Sequence, residues 1–308
     1  MLKNKMNISL LTRKPTIFSI DYAKEKIRNL FNKKTGPIAV LESMERGLSE
    51  MKIEFSTNKK VSAITYVISG INTLKYALEQ KKKGLIKLLI VGPAIVVLPD
   101  EADKIILDGN IDIIILPSQW NKDLYCSKYP QLEKKIAILP AGVKNVEEEN
   151  LNKNGLLIYN KNSDEILLKQ IIEVIGNKIP YKIINYGHFK QKKYYELLSN
   201  YKYLVYLSPS ESQGIALQEA WTRGVPTFVW NRGYWEYKGN KWFDPKISAP
   251  YLNEKCGMFF KDGEDFKNKL NTFLESRFEP KKYCLEKLSD KVFAHNLLNL
   301  ITNYEKQH

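Results

Sequence analysis

The sequence predicts an α/β protein with two successive parallel-sheet domains. Short apolar runs rich in β-branched residues alternate with helical patterns, and this alternation occurs twice along the chain. A polar stretch without apolar periodicity, Lys144–Gly155, separates the two blocks. The length of 308 residues also suits two domains. We therefore expect one domain over 1–148 and a second over 149–308.

Continuous apolar runs in the first block are typical of strands buried on both faces of a parallel sheet. The predicted strands are Thr16–Ile20, Ile53–Ser56, Ala63–Ile68, Leu85–Val91, Ile111–Leu116 and Ile136–Leu139. Helical patterns cover Ala39–Lys52 and Asn72–Lys83. This alternation favours a parallel sheet, because a helix then carries the chain back to the start of the next strand.

The second block repeats the alternation. Its predicted strands are Leu156–Tyr159, Tyr181–Tyr186, Tyr203–Leu207 and Thr227–Trp230, and its predicted helices are Ser163–Gly176, Lys190–Asn200 and Gly214–Arg223. A long helical pattern follows at Lys281–Lys306, and we expect it to pack back toward the first domain. Ligands of such sheets bind outside the carboxyl ends of the strands, so two sheets predict a ligand cleft between the domains.

Composition excludes several classes of protein. With 44% hydrophobic and 27% charged residues the chain is globular rather than disordered. Its apolar runs are far shorter than the roughly 20 residues of a membrane span, and its start lacks the features of a signal peptide. Three scattered cysteines, Cys126, Cys256 and Cys284, predict neither a disulfide framework nor a metal site. We expect a cytoplasmic protein without a metal or cofactor.

The net charge of +14 comes mostly from lysine. Base reading in nucleic acids relies on bidentate arginine, and arginine is scarce here, so we expect no specific nucleic acid partner. Three explanations of the charge stay open: a lysine-rich proteome, attraction to anionic substrates, and attraction to an anionic membrane surface.

The segment Leu204–Trp230 carries the most chemical information. A buried strand leads into the polar loop Ser208–Gly214, and a helix follows that stops before Gly224. Glu211 lies in the loop and Glu219 inside the helix. The main-chain N–H groups of the first helical turn bind anions, and carboxylates accept hydrogen bonds from diols. Two carboxylates beside an anion site suit a nucleoside-diphosphate sugar.

Seven residues separate Glu211 from Glu219, and Gly224-Val225-Pro226 follows. This pattern resembles the E-x7-E signature of retaining glycosyltransferases with the GT-B fold, close to family GT4. Two earlier segments, Pro117–Trp120 and Ile136–Val143, resemble the end of the N-terminal domain of that family. The resemblance spans roughly residues 85–230. It implies two Rossmann-like domains facing across a cleft, with the acceptor on the first and the donor on the second.

The resemblance also implies roles for residues. Glu211 would contact the hydroxyls of the donor sugar, Glu219 the ribose diol, and Lys161 the leaving diphosphate. The donor-side residues that it adds are Ser212, Gln213, Gly214, Ile215, Ala216, Gly187 and His188. Two positions depart from the family pattern. Gln213 replaces an aromatic residue, and a second phosphate-binding lysine has no equivalent, because Lys169 lies too far along its predicted helix.

The function implied is transfer of a sugar from a UDP- or GDP-sugar to a hydroxyl of a glycan, a lipid-linked or a protein-linked acceptor, as in polysaccharide biosynthesis. Retention of the anomeric configuration belongs to the same resemblance. The chain has no D-x-D motif, which predicts a reaction without metal. Two alternatives stay open: another GT-B enzyme, such as a nucleotide-sugar epimerase or a phosphorylase, and a non-catalytic, basic nucleic-acid-binding protein.

Three further features have two interpretations each. Gly36, Gly70 and Asn72 either line the acceptor side of the cleft or serve ordinary turns and helix starts. The basic stretch Asp21–Lys34 is either a helix on the inner face of the membrane or a solvated helix. The aromatic segment Trp230–Tyr251 either stacks on a sugar or base or forms a packed cluster.

Overall fold

A computed structural model of the chain describes residues 7–15, 35–147 and 152–307. Two compact units divide the chain: Met1–Gly142 with Ser289–His308, and Val143–Leu288. The predicted boundary near 148 lies a few residues beyond this division, and the predicted second domain, 149–308, differs from it because 289–308 belongs to the first unit. The predicted strand Thr16–Ile20 and the basic stretch Asp21–Lys34 lie outside the described residues, as does part of the predicted linker.

The first unit contains a parallel sheet in the order β2-β1-β3-β4-β5-β6. Its strands are β1 (Asn7–Leu11), β2 (Glu54–Thr57), β3 (Ile64–Ser69), β4 (Leu88–Ala94), β5 (Ile113–Leu116) and β6 (Ile136–Ile138). Every residue of β3 and β5 is buried, as the largely apolar sequence of β3 and the continuous apolar sequence of β5 predict.

The second unit contains a parallel sheet in the order β13-β10-β9-β7-β8 and an antiparallel hairpin, β11–β12. Its strands are β7 (Leu156–Asn160), β8 (Tyr181–Asn185), β9 (Tyr203–Leu207), β10 (Thr227–Trp230), β11 (Tyr234–Tyr237), β12 (Asn240–Phe243) and β13 (Gly257–Phe260). On one side of this sheet the ring of Phe228 stacks on those of Phe266 and Phe273 in the core.

Helices connect the strands in both units, as expected for parallel sheets. The α-helices of the described residues are α1 (Gly36–Glu50), α2 (Ile71–Lys82), α3 (Gln119–Lys128), α4 (Glu165–Ile175), α5 (Gln191–Asn200), α6 (Ile215–Trp221), α7 (Gly263–Glu275), α8 (Pro280–Lys287) and α9 (Asp290–Gln307). Short 3-10 segments cover Ala102–Leu107 and Pro130–Leu132.

The helical pattern predicted at Lys281–Lys306 is two helices, α8 and α9, which Leu288 and Ser289 separate. As predicted, the last helix packs on the N-terminal domain, where α9 lies against α1. Arg46 of α1 donates two hydrogen bonds to the Asp290 carboxylate, at 2.5 and 3.0 Å. A Cβ atom on Gly47 would lie 2.2 Å from the Asp290 carbonyl oxygen, so glycine allows the close approach of the two helices.

Candidate functional site

The strand order of the second unit creates a switch point. The chain passes from β7 to β8 on one side and then to β9 on the other side of β7. The carboxyl ends of β7 and β9 therefore flank a crevice of the kind in which open α/β sheets bind ligands. Lys161 directly follows β7, and the loop that carries Glu211 follows β9.

Glu211 is held at this switch point by three donors. Lys161 Nζ lies 2.6 Å from Glu211 Oε1, the Tyr206 hydroxyl donates to the same oxygen at 2.7 Å, and the Ser208 hydroxyl at 2.9 Å. The exposed fraction of the Glu211 side chain is 11%, whereas that of Lys161 is 26%. The carboxylate is therefore fixed in position while the ammonium remains accessible to a ligand.

The backbone explains why these groups meet. Lys161 N–H donates to the Leu207 carbonyl at 2.7 Å, which extends the pairing of β7 and β9 by one residue. On the loop, Glu211 N–H donates to the Ile247 carbonyl at 2.9 Å. Gly214 then starts α6 with a φ of 84°, a conformation that glycine adopts at little cost. The strand register and the two anchors of the loop thus set the distance between Lys161 and Glu211.

The protonation state of the Tyr206 hydroxyl allows it to donate a hydrogen bond to Glu211. Burial, and next the charge of Glu211, raise the pKa of the Tyr206 hydroxyl well above its ordinary value of 10. The hydroxyl therefore stays protonated and donates a hydrogen bond to the carboxylate. Desolvation of an aromatic hydroxyl is costly unless it has a partner, and Glu211 is that partner.

Glu219 occupies a second polar network on α6. Gln191 Nε2 donates to Glu219 Oε2 at 2.7 Å, and the Tyr195 hydroxyl donates to Oε1 at 2.6 Å. The Arg223 guanidinium lies 4.1 Å from the centre of the Tyr195 ring. Both donors come from α5, so this helix sets the orientation of the Glu219 carboxylate.

A cluster of tyrosines lies near both carboxylates. The ring of Tyr159 stacks on Tyr206 with centroids 4.9 Å apart and meets Tyr194 edge-on at 5.3 Å. Burial raises the pKa of Tyr159 most, and the charges of Glu211 and Glu219 both add to the shift. Both glutamates are therefore close enough to this hydroxyl to act on it electrostatically.

The other predicted donor-side residues surround the carboxyl edge of the second sheet. Ser212 is exposed, and Ile215 and Ala216 are half-buried at the start of α6, which is seven residues long. Gly187 and His188 are exposed just after the carboxyl end of β8. The side chain of Gln213 differs from its neighbours, since it is buried and donates to Gln218 Oε1 at 2.8 Å. Gln213 thus has a protein partner in the second unit.

Three predicted residues belong to the first unit. Gly36 is the first residue of α1, and Asn72 is exposed in the first turn of α2. Gly70 joins β3 to α2 with a φ of 93°. The order β2-β1-β3 places Gly70 beside the switch point of that sheet, between β1 and β3.

Sequence reasoning did not identify four residues of the two networks: Tyr206, Ser208, Gln191 and Tyr195. One signal was present for Tyr206, because a tyrosine inside a fully apolar strand needs a partner for its hydroxyl. Gln191 and Tyr195 gave no comparable signal, since α5 lies in an amphipathic, surface-facing pattern in which polar residues are ordinary.

The described residues contain neither a group of metal ligands nor a helix suited to crossing a membrane. Between residues 7 and 307, outside the two gaps, no group of three or more His, Cys, Asp and Glu side chains is arranged to hold a metal ion. Within the same described residues, no helix combines the length and the apolar character that crossing a membrane requires.

Comparison with known proteins shows likeness in structure only. No family model matches the chain, and no curated protein matches it in sequence. Among solved structures, the apo form of the lipopolysaccharide outer core galactosyltransferase WaaB has a TM-score of 0.57 and 12% identity, covering 97% of this chain and 100% of that one. Sucrose-phosphate synthase from Thermosynechococcus elongatus has a TM-score of 0.56 and 8% identity, covering 98% and 100%.

A third similar structure is S. aureus TarM, with a TM-score of 0.53 and 13% identity, covering 85% of this chain and 58% of that one. At these identities the likeness concerns the fold. Two parallel-sheet α/β units and the likeness to these enzymes show that the chain has the GT-B fold.

Proposed function

We propose that the chain transfers a sugar from a nucleoside-diphosphate sugar to an acceptor hydroxyl. The observation that carries this proposal is the pair formed by Lys161 and Glu211 at the switch point of the second sheet. A cation that a ligand can reach stands beside a carboxylate that three donors fix. Such a pair matches a donor with a negative diphosphate and a sugar rich in hydroxyls.

In this proposal Lys161 turns from Glu211 to the diphosphate when the donor binds. The ammonium is a flexible point charge that forms hydrogen bonds in several directions, so this change of partner needs only rotation about its side-chain bonds. Glu211 stays in place, because Tyr206 and Ser208 still donate to it. Its carboxylate then accepts hydrogen bonds from the donor sugar.

Glu219 binds the ribose diol in the same proposal. Each of its oxygens already has one donor from α5, and each carboxylate oxygen accepts more than one hydrogen bond. The N–H groups of Ile215 and Ala216 lie at the start of α6, where a helix leaves its first N–H groups without intrahelical partners. They add donors for the phosphates, and Ser212, Gly187 and His188 complete the donor side.

In this proposal the catalysis of the chemical step is electrostatic. As the acceptor oxygen bonds to the anomeric carbon and the bond between sugar and diphosphate breaks, negative charge grows on the leaving oxygen, Lys161 stabilises that charge, and the acceptor proton passes to the leaving diphosphate. We propose that this cation replaces a divalent metal and that the reaction proceeds with retention, as in GT4-like enzymes. The pattern Glu211–x7–Glu219 supports this finer assignment.

The acceptor in this proposal is a hydroxyl of a glycan or glycolipid. Solved structures with the same fold support the substrate class: TarM was crystallised with UDP and alpha-GlcNAc-glycerol, and the pneumococcal O-GlcNAc transferase GtfA with UDP and GlcNAc. We further propose that the excess of lysine brings the enzyme to the anionic inner surface of the membrane, where lipid-linked acceptors lie.

A thermal-shift screen with UDP, GDP, ADP and their sugars tests the donor site first. We expect one nucleotide series to raise the melting temperature of the wild-type protein. Lys161→Gln should reduce that shift, whereas Lys169→Gln, a change at an exposed lysine of α4, should leave it unchanged. No shift with any nucleotide, or equal shifts for both variants and the wild type, would contradict the proposal.

A further inference from the structure

The hairpin β11–β12 interrupts the regular alternation of the second unit. Two residues, Lys238 and Gly239, connect its strands, and both have positive φ angles of 47° and 75°. A two-residue turn with these angles matches the right-handed twist of the strands. The hairpin is therefore a defined structure, and its two faces differ in what they present to solvent.

The pairing of the strands sets these faces. Trp235 lies opposite Trp242, and Trp235 is 8% exposed, so this face packs on the protein. Tyr234 lies opposite Phe243, and Glu236 opposite Lys241, which puts these four side chains on the other face. The hairpin face consists of these four residues together with Arg232, whose guanidinium lies 4.2 Å from the centre of the Tyr234 ring.

The hairpin face combines aromatic rings with two cations. Phe243 is 69% exposed, and the centre of its ring lies 6.0 Å from that of Tyr234. Lys241 Nζ lies 3.9 Å from the centre of the Tyr234 ring. Within the described part of the chain, neither Lys241 nor Arg232 forms an ion pair with a carboxylate. Both cations are positioned by rings and have charge available for an anion.

The base of the hairpin is joined to the loop of Glu211. The hairpin leaves the sheet just after the carboxyl end of β10, the same edge that carries the candidate donor site. On its return, the chain accepts a hydrogen bond at Ile247 from Glu211 N–H and donates one from Ser248 Oγ to the Pro209 carbonyl at 3.3 Å. The hairpin face and the donor site are thus parts of one continuous structure.

We infer that the hairpin face binds an anionic stretch of the glycan acceptor. Phe243 stacks on the C–H face of a sugar ring, Lys241 and Arg232 pair with carboxylate or phosphate groups of the glycan, and Glu236 accepts a hydrogen bond from a hydroxyl. The inference rests on the proposed function, because it assigns this face to the acceptor of the same enzyme.

The composition of the face favours a glycan over a lipid surface. One phenylalanine that is 69% exposed supplies little apolar area for insertion, and stable membrane attachment needs a larger apolar face. Glu236 is exposed on this face beside Lys241. The same carboxylate suits a sugar, whose hydroxyl groups are hydrogen-bond donors.

Binding of defined oligosaccharides to the full chain tests the inference. The probes are heparin and hyaluronan octasaccharides, which are anionic, and maltooctaose, which is neutral. We expect at least one anionic probe to bind about tenfold or more tightly than maltooctaose. Phe243→Ala and Lys241→Gln should each weaken that binding about fivefold or more.

Two control variants match these changes elsewhere in the second unit. Ile166→Ala removes an apolar side chain that is 64% exposed, and Lys267→Gln removes an exposed lysine of α7. Both should change the affinity less than about twofold. Equal binding by the hairpin variants and the wild type, or no binding of either anionic probe, would overturn the inference. So would hairpin-dependent binding to phosphatidylglycerol vesicles without glycan binding.

The thermal shift with nucleotides separates this inference from the proposed function. The hairpin variants should keep the wild-type shift, because they leave the donor residues intact. A wild-type protein that a nucleotide stabilises but that binds neither anionic probe would remove the role of the hairpin face alone. Hairpin-dependent glycan binding in a protein that no nucleotide stabilises removes the transferase and leaves a glycan-binding surface.

Discussion

The ammonium of Lys161 and the carboxylate of Glu211 are 2.6 Å apart, although their positions differ by 50 in the chain. They meet because β7 and β9 are neighbours in the sheet and their carboxyl ends lie at the same edge. The pair joins the two chemical requirements of the proposed reaction, a cation for the diphosphate and an acceptor for sugar hydroxyls.

Glu211→Gln should abolish most of the activity and leave the fold intact. The amide keeps the shape of the side chain but has lost the negative charge, so one preorganised contact with the reacting sugar is lost. We expect the release of nucleoside diphosphate from the preferred donor to slow by about 10²-fold or more. Glu264→Gln, at an exposed glutamate of α7, is the control. Turnover close to wild type would show that Glu211 has no role in the reaction.

Glu219→Gln should change the recognition of ribose. The wild type should bind UDP about tenfold more tightly than 2′,3′-dideoxy-UDP, the scale of one charge-assisted hydrogen bond, provided that the screen identifies UDP as the preferred nucleotide. In the variant this preference should disappear, because an amide is a weaker acceptor than a carboxylate. Isothermal titration gives both affinities. A variant that still distinguishes the two nucleotides would place the ribose elsewhere.

Turnover should persist in excess EDTA. In the proposed mechanism Lys161 supplies the positive charge that a divalent ion would otherwise supply, and we therefore expect the rate to stay within about twofold of that without chelator. The measurement is donor turnover before and after dialysis against EDTA. A collapse of the rate that Mg²⁺ or Mn²⁺ restores would contradict the metal-independent mechanism.

Asp290→Asn should destabilise the first unit. The Asp290 side chain is 9% exposed and accepts two hydrogen bonds from Arg46, so the change removes the negative charge that the guanidinium contacts at 2.5 Å. We expect the free energy of unfolding from urea titration to fall by about 1–3 kcal/mol. Lys291→Gln is a matched control on the same helices, because Lys291 and Glu50 form an exposed pair. Its effect should stay under about 1 kcal/mol. Equal effects of the two variants would contradict a special role for the pair of Arg46 and the buried Asp290 carboxylate.

Tyr66→Phe should make the protein more resistant to alkali. Among the described residues the buried Tyr66 hydroxyl has no hydrogen-bond partner, and burial raises the pKa of this hydroxyl above its ordinary value of 10. Between the unfolded and the folded pKa only the unfolded chain releases the proton, so this residue costs stability as the pH rises above about 10. The free energy of unfolding should therefore fall less steeply with pH in the variant, from pH 9 upward. Identical slopes for the variant and the wild type would show that Tyr66 does not contribute.

Much of the fold was predictable because its strands are buried on both faces. β5 and β9 are continuous apolar runs, β3 is largely apolar, and each was predicted within a few residues of its bounds. β1 was missed, since Asn7 and Ser9 interrupt its apolar pattern. The hairpin β11–β12 was also missed, because its turn is Lys-Gly rather than the more familiar Asn-Gly or Asp-Gly.

The candidate site was predictable only in part. Glu211, Glu219 and Lys161 follow from a local pattern and a family resemblance, and all three lie at or next to the carboxyl edge of one sheet. The partners that fix the carboxylates come from other elements: Tyr206 from β9, and Gln191 and Tyr195 from α5. Such contacts depend on which strands and helices become neighbours in three dimensions, and sequence periodicity does not contain that information.

The position of α9 in the sequence affects the order in which the two units can complete their folding. This helix belongs to the first unit, yet 146 residues of the second unit, Val143–Leu288, precede it. A ribosome therefore releases the whole of the second unit before the segment that packs on Gly47 and pairs with Arg46 becomes available. The unit whose synthesis starts first is then completed last, and during translation the apolar side of α1 remains uncovered where α9 will later pack.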